Sequence, residues 1–125
     1  MPILIVDDYN TMIRILRNLL RRIGFSQIEE ACDVNAALTK MSAKRYAMVI
    51  ADCDLPSLSG LDLLHYVRAD ERTRDIPFVL LARDDVQGLE AMSSAGASSY
   101  LVKPFTAESL RAAIEPVFTP YQIAV

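Results

Sequence analysis

Ile3-Leu4-Ile5-Val6-Asp7-Asp8 opens the chain with four consecutive apolar residues and then stops on two aspartates. A run this short, apolar at every position and bounded by acids, reads as a strand buried on both faces. The pattern recurs at Ala47-Met48-Val49-Ile50-Ala51, which ends on Asp52, and at Phe78-Val79-Leu80-Leu81. It returns in Ser99-Tyr100-Leu101-Val102, which terminates at Lys103-Pro104, while Ile28 to Cys32 is a weaker, edge-type version.

Helix-period segments fill the intervals. Met12, Ile15, Leu16, Leu19 and Ile23 recur at helical spacing, with Arg14, Arg17, Asn18 and Arg21 opposite and Gly24 closing the segment. Val34, Ala37, Leu38 and Met41 mark a second helix with Asp33 as its N-cap. A third runs from Gly60 to Ala69 with Leu61, Leu64 and Val67 inward, and a weak fourth lies around Val86 to Ser94, ending at Gly96. The last starts at Thr106 and presents Leu110, Ala113, Ile114 and Val117; Pro116 within it should kink or end the helix, at about 3 kcal/mol if forced. His65 falls on the outer side of the third helix.

Buried strands alternating with helices predict an α/β fold, a doubly wound parallel sheet covered on both sides. The functional crevice of such a sheet lies at the carboxyl ends of its strands. With no repeat, low-complexity tract or linker, residues 1–125 read as one domain. The apolar stretch 119–125 either lies over the core or makes a dimer contact, so a monomer and a weak homodimer are both compatible with the sequence.

Composition bounds the function. Hydrophobic residues make up 52% of the 125 and charged ones 23%, enough to bury a sizeable core. A formal net charge of -3 argues against non-specific binding to nucleic acid or to an anionic membrane. Ile3 to Val6 is too short for a signal peptide or a spanning helix. Cys32 and Cys53 lack metal-type spacing and read as reduced thiols, so a cytoplasmic location is expected.

The strand ends carry the chemistry. Asp7 and Asp8 follow the first strand, Asp52 the third and Lys103 the fifth, ends that a doubly wound sheet brings together. Taken singly, an aspartate after a strand is commonly a turn or cap residue, and a lone lysine is usually solvated. Together they form a cluster in which carboxylates ~5 Å apart repel by roughly 3 kcal/mol per pair at an effective dielectric near 20. A hard divalent cation such as Mg²⁺ answers that repulsion. Lys103 adds a point charge suited to a phosphoryl oxygen, and a carboxylate can accept a phosphoryl group as a nucleophile.

At these residues the chain resembles a known family. Val6-Asp7-Asp8, Asp52 followed by Leu55-Pro56 and Gly60, and Lys103-Pro104-Phe105 look like the receiver domain of two-component response regulators. The stretch Asp7 to Arg14 with Arg17-Asn18-Leu19-Leu20 is similar to single-domain regulators of the chemotaxis type. The resemblance runs from Ile3 to about Phe118 and implies a flavodoxin-like sheet of five strands in the order 2-1-3-4-5 with five helices. It implies Asp52 as phosphoacceptor, Mg²⁺ (or Mn²⁺) on Asp7, Asp8, Asp52 and the backbone carbonyl of Asp54, and Lys103 on the phosphoryl group. It also implies a cis peptide before Pro104 and Tyr100 as a switch aromatic. The implied partners are a sensor histidine kinase or a histidine phosphotransfer protein, and a downstream protein target at the face around Tyr100. By this resemblance the chain is not an enzyme with a separate substrate, although it assists its own phosphorylation and dephosphorylation.

One position departs from the family. Thr or Ser usually ends the fourth strand, and here Ala82 stands there, followed by Arg83. Alanine has no donor, so the usual report of phosphorylation is missing. Arg83 is either a substitute contact to phosphate or a solvated loop residue. Alanine also leaves room for Tyr100 to turn inward without any phosphoryl signal, so an inward or mixed ring is expected in the unmodified protein. Among other classes, Asp52-Cys53-Asp54 has the Asp-x-Asp form of haloacid-dehalogenase-type phosphatases, but it follows the third strand and 125 residues leave little room for a cap domain. A flavodoxin-like flavin binder would need a phosphate-welcoming first loop, which Asp7-Asp8 is not. A degenerate receiver acting as a phosphorylation-independent interaction module, or as a phosphate sink, is the remaining alternative.

Overall fold

The computed structural model describes residues 1–82 and 94–118. Its elements are β1 (Ile3–Val6), α1 (Asn10–Ile23), β2 (Ile28–Ala31), α2 (Val34–Ala43), β3 (Met48–Asp52), α3 (Gly60–Ala69), β4 (Phe78–Ala82), β5 (Ser99–Val102) and α4 (Ala107–Phe118). The strands form one parallel sheet in the order β2-β1-β3-β4-β5. Four helices stand among the described residues, and the one expected around Val86 to Ser94 falls almost wholly in residues 83–93, outside them.

Alternate residues of each strand serve opposite faces, which is why the strands are apolar throughout. Leu4, Val6, Val49, Ala51, Phe78 and Leu80 pack one face against Val34, Ala37 and Met41 of α2 and Leu63, Leu64 and Val67 of α3. Ile3, Ile5, Met48, Ile50, Val79, Leu81 and Leu101 pack the other against Ile13, Leu16 and Leu20 of α1 and Leu110, Ala113 and Ile114 of α4. Each fully buried Leu or Ile contributes roughly 2 kcal/mol relative to exposure, so the two layers hold the sheet's ends in fixed register.

Three local details differ from the sequence reading. The inner face of α1 is Ile13, Leu16 and Leu20, while Met12, Leu19 and Ile23 lie at its margin and Ile15 is 42% exposed. The apolar positions wrap more than half of this helix, so two phases satisfy the period, and contact with β1 and β3 selects one. In α3 the buried set is Gly60, Leu63, Leu64 and Val67, with Leu61 only partly buried. In α4, Pro116 sits inside the helix and the helix ends two residues later, so the proline falls in the last turn and does not break the element midway. The Asp33 cap forms as expected, its Oδ1 accepting from the Ala36 N–H at 2.7 Å. None of the helices among the described residues is long and apolar enough to cross a membrane.

Candidate functional site

β1 delivers Asp7 to the carboxyl end of the sheet, where its N–H continues the ladder to the Ala31 carbonyl at 3.1 Å. The residue is buried. Its Oδ1 accepts from the Tyr9 N–H at 2.9 Å, and its Oδ2 is shielded from solvent with no hydrogen-bond partner. Tyr9 is the N-cap of α1 and makes no side-chain cap bond, so the chain turns into α1 around the Asp7 carboxylate.

Asp52 is the last residue of β3, one position further into the strand than the apolar run alone suggests, and it pairs with Leu81 of β4. It too is buried. Its Oδ1 accepts from the Asp54 N–H at 2.9 Å, and its Oδ2 from the Lys103 Nζ at 2.7 Å. Lys103 is carried there by the last step of the β4–β5 ladder, its N–H donating to the Ala82 carbonyl at 2.8 Å. The Lys103–Pro104 peptide is cis.

Gly60 closes the site from beneath. It is the first residue of α3, and a Cβ built there would lie 2.2 Å from the Asp52 carbonyl oxygen. Only glycine lets the helix approach the backbone of β3 so closely. Ser59 and Asp62 lock that approach with a capping box: Asp62 N–H donates to Ser59 Oγ at 3.1 Å and Ser59 N–H to Asp62 Oδ2 at 2.9 Å. The sequence reading missed this pair, although Ser59-Gly60-Leu61-Asp62 has the Ser-x-x-acid spacing that signals it.

The electrostatics follow from the packing. Burial pushes the Asp7 carboxyl up to about 6, with the neighbouring Asp52 charge adding to the rise and the Tyr9 N–H and Lys103 opposing it. Burial likewise lifts the Cys53 thiol to about 11, with Asp52 and Asp54 contributing, so it stays protonated and is no nucleophile. The unpartnered Asp7 Oδ2, beside a second carboxylate, is satisfied only by a proton or a cation. Among the described residues no three His, Cys, Asp or Glu side chains close on a single point. A buried carboxylate pair nonetheless fits Mg²⁺, which takes one or two carboxylates and fills its octahedron with water and substrate oxygens.

The structure thus gathers Asp7, Asp52 and Lys103. Asp8 and Asp54 are exposed at the rim, with Asp54 held to Asp52 through its backbone. Ala82 ends β4, buried and without a side-chain donor. Arg83 and the stretch 119–125 lie outside the described residues. Tyr100 is 43% exposed, where an inward or mixed ring was expected. β5 is an edge strand, and Tyr100 opposes Leu80 on the face away from Leu101, so room beside Ala82 does not by itself draw the ring in.

Residues 3–115 match the response regulator receiver domain family. The chain belongs to this family. It is 43% identical over 122 residues to the chemotaxis protein CheY of Pseudomonas aeruginosa, covering 94% of this chain and 96% of that one. The receiver fold matches that of the chemotaxis response regulator CheY4 of Vibrio cholerae, with a TM-score of 0.84, 26% identity, and coverage of 93% and 97%. It also matches the receiver domain of a sensor histidine kinase from Pseudomonas aeruginosa, with a TM-score of 0.79, 30% identity, and coverage of 89% and 91%. That relative has a magnesium ion coordinated in its active-site cleft. The receiver assignment carried by Val6-Asp7-Asp8, Asp52 and Lys103-Pro104-Phe105 is therefore borne out, as is the sheet order 2-1-3-4-5.

Proposed function

We propose that this chain is a stand-alone phosphoacceptor that takes a phosphoryl group on Asp52 from a histidine kinase or histidine phosphotransfer protein. It then signals by binding a protein target through the face around Tyr100. The observation that carries this reading is the buried Asp52 carboxylate, held between the Lys103 ammonium at 2.7 Å and the Asp54 N–H at 2.9 Å, with Asp7 beside it.

In the transfer, an Asp52 carboxylate oxygen forms a bond to phosphorus while the bond from phosphorus to the donor's imidazole nitrogen breaks, and the imidazole leaves with the electron pair. Lys103 neutralises charge on the phosphoryl oxygens, which is the protein's main task in such chemistry. Asp7 and Asp8, with the Asp52 carboxylate and the Asp54 carbonyl, would hold Mg²⁺, or Mn²⁺ in its place. When bound, the ion neutralises the carboxylates and polarises the incoming phosphoryl group. Relatives named as chemotaxis proteins support a chemotaxis setting for this chain, which is proposed to act in the cytoplasm. Ala82 makes the output switch atypical, and that residue alone favours a second reading, an interaction module that does not depend on phosphorylation.

Incubation with acetyl phosphate or phosphoramidate separates the two. Intact-mass analysis should show one added phosphoryl group with Mg²⁺, none with EDTA and none in Asp52→Asn. Labelling that persists in Asp52→Asn places the acceptor elsewhere, and an unlabelled wild type supports the interaction module.

A further inference from the structure

At the amino ends of the strands, opposite Asp52, a shallow open cavity lies between the α2–β3 and α3–β4 connections. Its floor is apolar, from Met41, Ile76 and the ring of Tyr46, and its walls carry Lys44, Arg45 and Arg72. Lys44 is spoken for, because its Nζ meets Glu29 at 2.5 Å, and Glu29 also accepts from the Tyr46 hydroxyl at 2.6 Å. The two arginines are not. Arg72 gives one Nη2 bond to the Met41 carbonyl at 2.9 Å, which pins its guanidinium across the cavity from the α3–β4 loop to the end of α2. Arg45 is exposed and makes no hydrogen bond or ion pair among the described residues. Asp70, Glu71 and Asp75 share the neighbouring loop, yet none of them lines the cavity, and Asp70 Oδ1 is occupied by the Arg72 backbone N–H at 2.9 Å.

Two arginines with spare N–H donors therefore line a small hollow with no lining carboxylate. Guanidinium is weakly hydrated and planar, and matches the paired oxygens of phosphates and carboxylates. We propose that this cavity is a second binding site, for a small phosphate- or carboxylate-type oxyanion, with Arg72 as the fixed wall and Arg45 as the arm that closes on the ligand. The site stands independently of phosphoryl transfer at Asp52. It would report to that residue through β3, which runs directly from the Tyr46 side of the cavity to Asp52.

Backbone amide NMR of the whole chain, titrated with pyrophosphate and separately with malonate at constant ionic strength, tests the proposal. Saturable shifts are expected in residues 41–46 and 72–76, with affinity falling at least tenfold in Arg45→Gln and in Arg72→Gln. The stronger of the two ligands assigns the site to phosphate or to carboxylate groups. Arg45→Gln should still take up phosphoryl on Asp52, which shows that the variant is folded. The proposal fails if these amides do not saturate with either ligand, or if both variants bind as the wild type does. It fails too if the shifts cluster only at Asp52 and Lys103, or if only an acidic peptide binds at residues 41–46 and 72–76, which would make the hollow a protein-docking site.

Discussion

At the amino ends of the strands the charged side chains Arg68, Glu29 and Lys44 find partners, whereas at the carboxyl ends Asp7 keeps a buried oxygen without one. Arg68, on the last turn of α3, donates to the carbonyls of Gly96 at 2.9 Å, Arg74 at 2.9 Å and Ile76 at 2.7 Å, and to Ser98 Oγ at 3.3 Å. One guanidinium thereby ties α3 to the loops that lead into β4 and β5. At the other end, two buried carboxylates lie close enough to repel, and one lysine bonds to Asp52 at 2.7 Å. Outside the arginine-lined hollow proposed above, the contrast separates paired charges that hold the fold together from a buried carboxylate that gives up stability for a site, a pattern expected where local rules are broken for function.

The largest effect should come from the backbone beneath Asp52. Gly60→Ala forces a methyl to within 2.2 Å of a carbonyl oxygen that cannot move without shifting Asp52, the proposed phosphoacceptor. A loss of about 3 kcal/mol is expected, at the upper end of overpacking costs. Gly96→Ala at the other pole meets only the Arg68 side chain at 3.6 Å, and its cost, about 1 kcal/mol, comes from its φ of +93°. Urea denaturation of the two variants checks the order. Equal losses would mean that the carboxyl end is no more tightly constrained than the amino end.

Charge removal should have opposite signs at the two poles. The Asp7 carboxyl is raised from an ordinary 3.8 to about 6, so the folded state holds its proton more tightly than the unfolded chain. Stability from that proton is fully present below pH 3.8, and it is lost as pH rises through about 6. The loss is at most about 3 kcal/mol by linkage. Without metal, Asp7→Asn should therefore be more stable than the wild type at pH 7.5, with the gain gone at pH 4, as read by thermal melts in EDTA. A destabilised Asp7→Asn at pH 7.5 would overturn the picture of a repelling pair. Arg68→Gln should go the other way and cost about 2 kcal/mol, because carbonyls satisfied by a charged donor lose it.

How far these poles were legible follows from what kind of signal each residue carries. Val6-Asp7-Asp8 and Ala51-Asp52 announce themselves, because an apolar strand that ends on an acid is both a secondary-structure boundary and a chemical group. Lys103 is legible for the same reason. Arg68 is not: its partners are backbone carbonyls, and carbonyls carry no sequence signature. The phase of α1 was ambiguous because Met12, Ile13, Ile15, Leu16, Leu19, Leu20 and Ile23 wrap too much of the helix for the period alone to choose. The exposure of Asp8 against the burial of Asp7 was also out of reach, since alternation fixes direction only inside the strand and Asp8 lies beyond its last paired residue.

The smallest effect concerns how far the carboxyl pole reaches. Tyr100 lies two strands from Asp52 on the sheet edge and is already 43% exposed, so no inward state needs to be displaced in the unmodified protein. A phosphoryl group on Asp52 moves the ring only by as much as it interacts differently with the two ring positions. In other receivers of the resemblance that difference runs through a hydroxyl at the end of the fourth strand, and Ala82 supplies none. Phosphorylation of the wild type should thus change the Tyr100 environment little, with populations shifting by less than a factor of about 2, or roughly 0.4 kcal/mol. Ala82→Thr should enlarge the response, because its hydroxyl gains a charged partner only in the phosphorylated state. Fluorotyrosine NMR, with Tyr100→Phe to assign the signal, measures both. A large response in the wild type would locate the missing donor elsewhere in the chain, with Arg83 the first residue to replace.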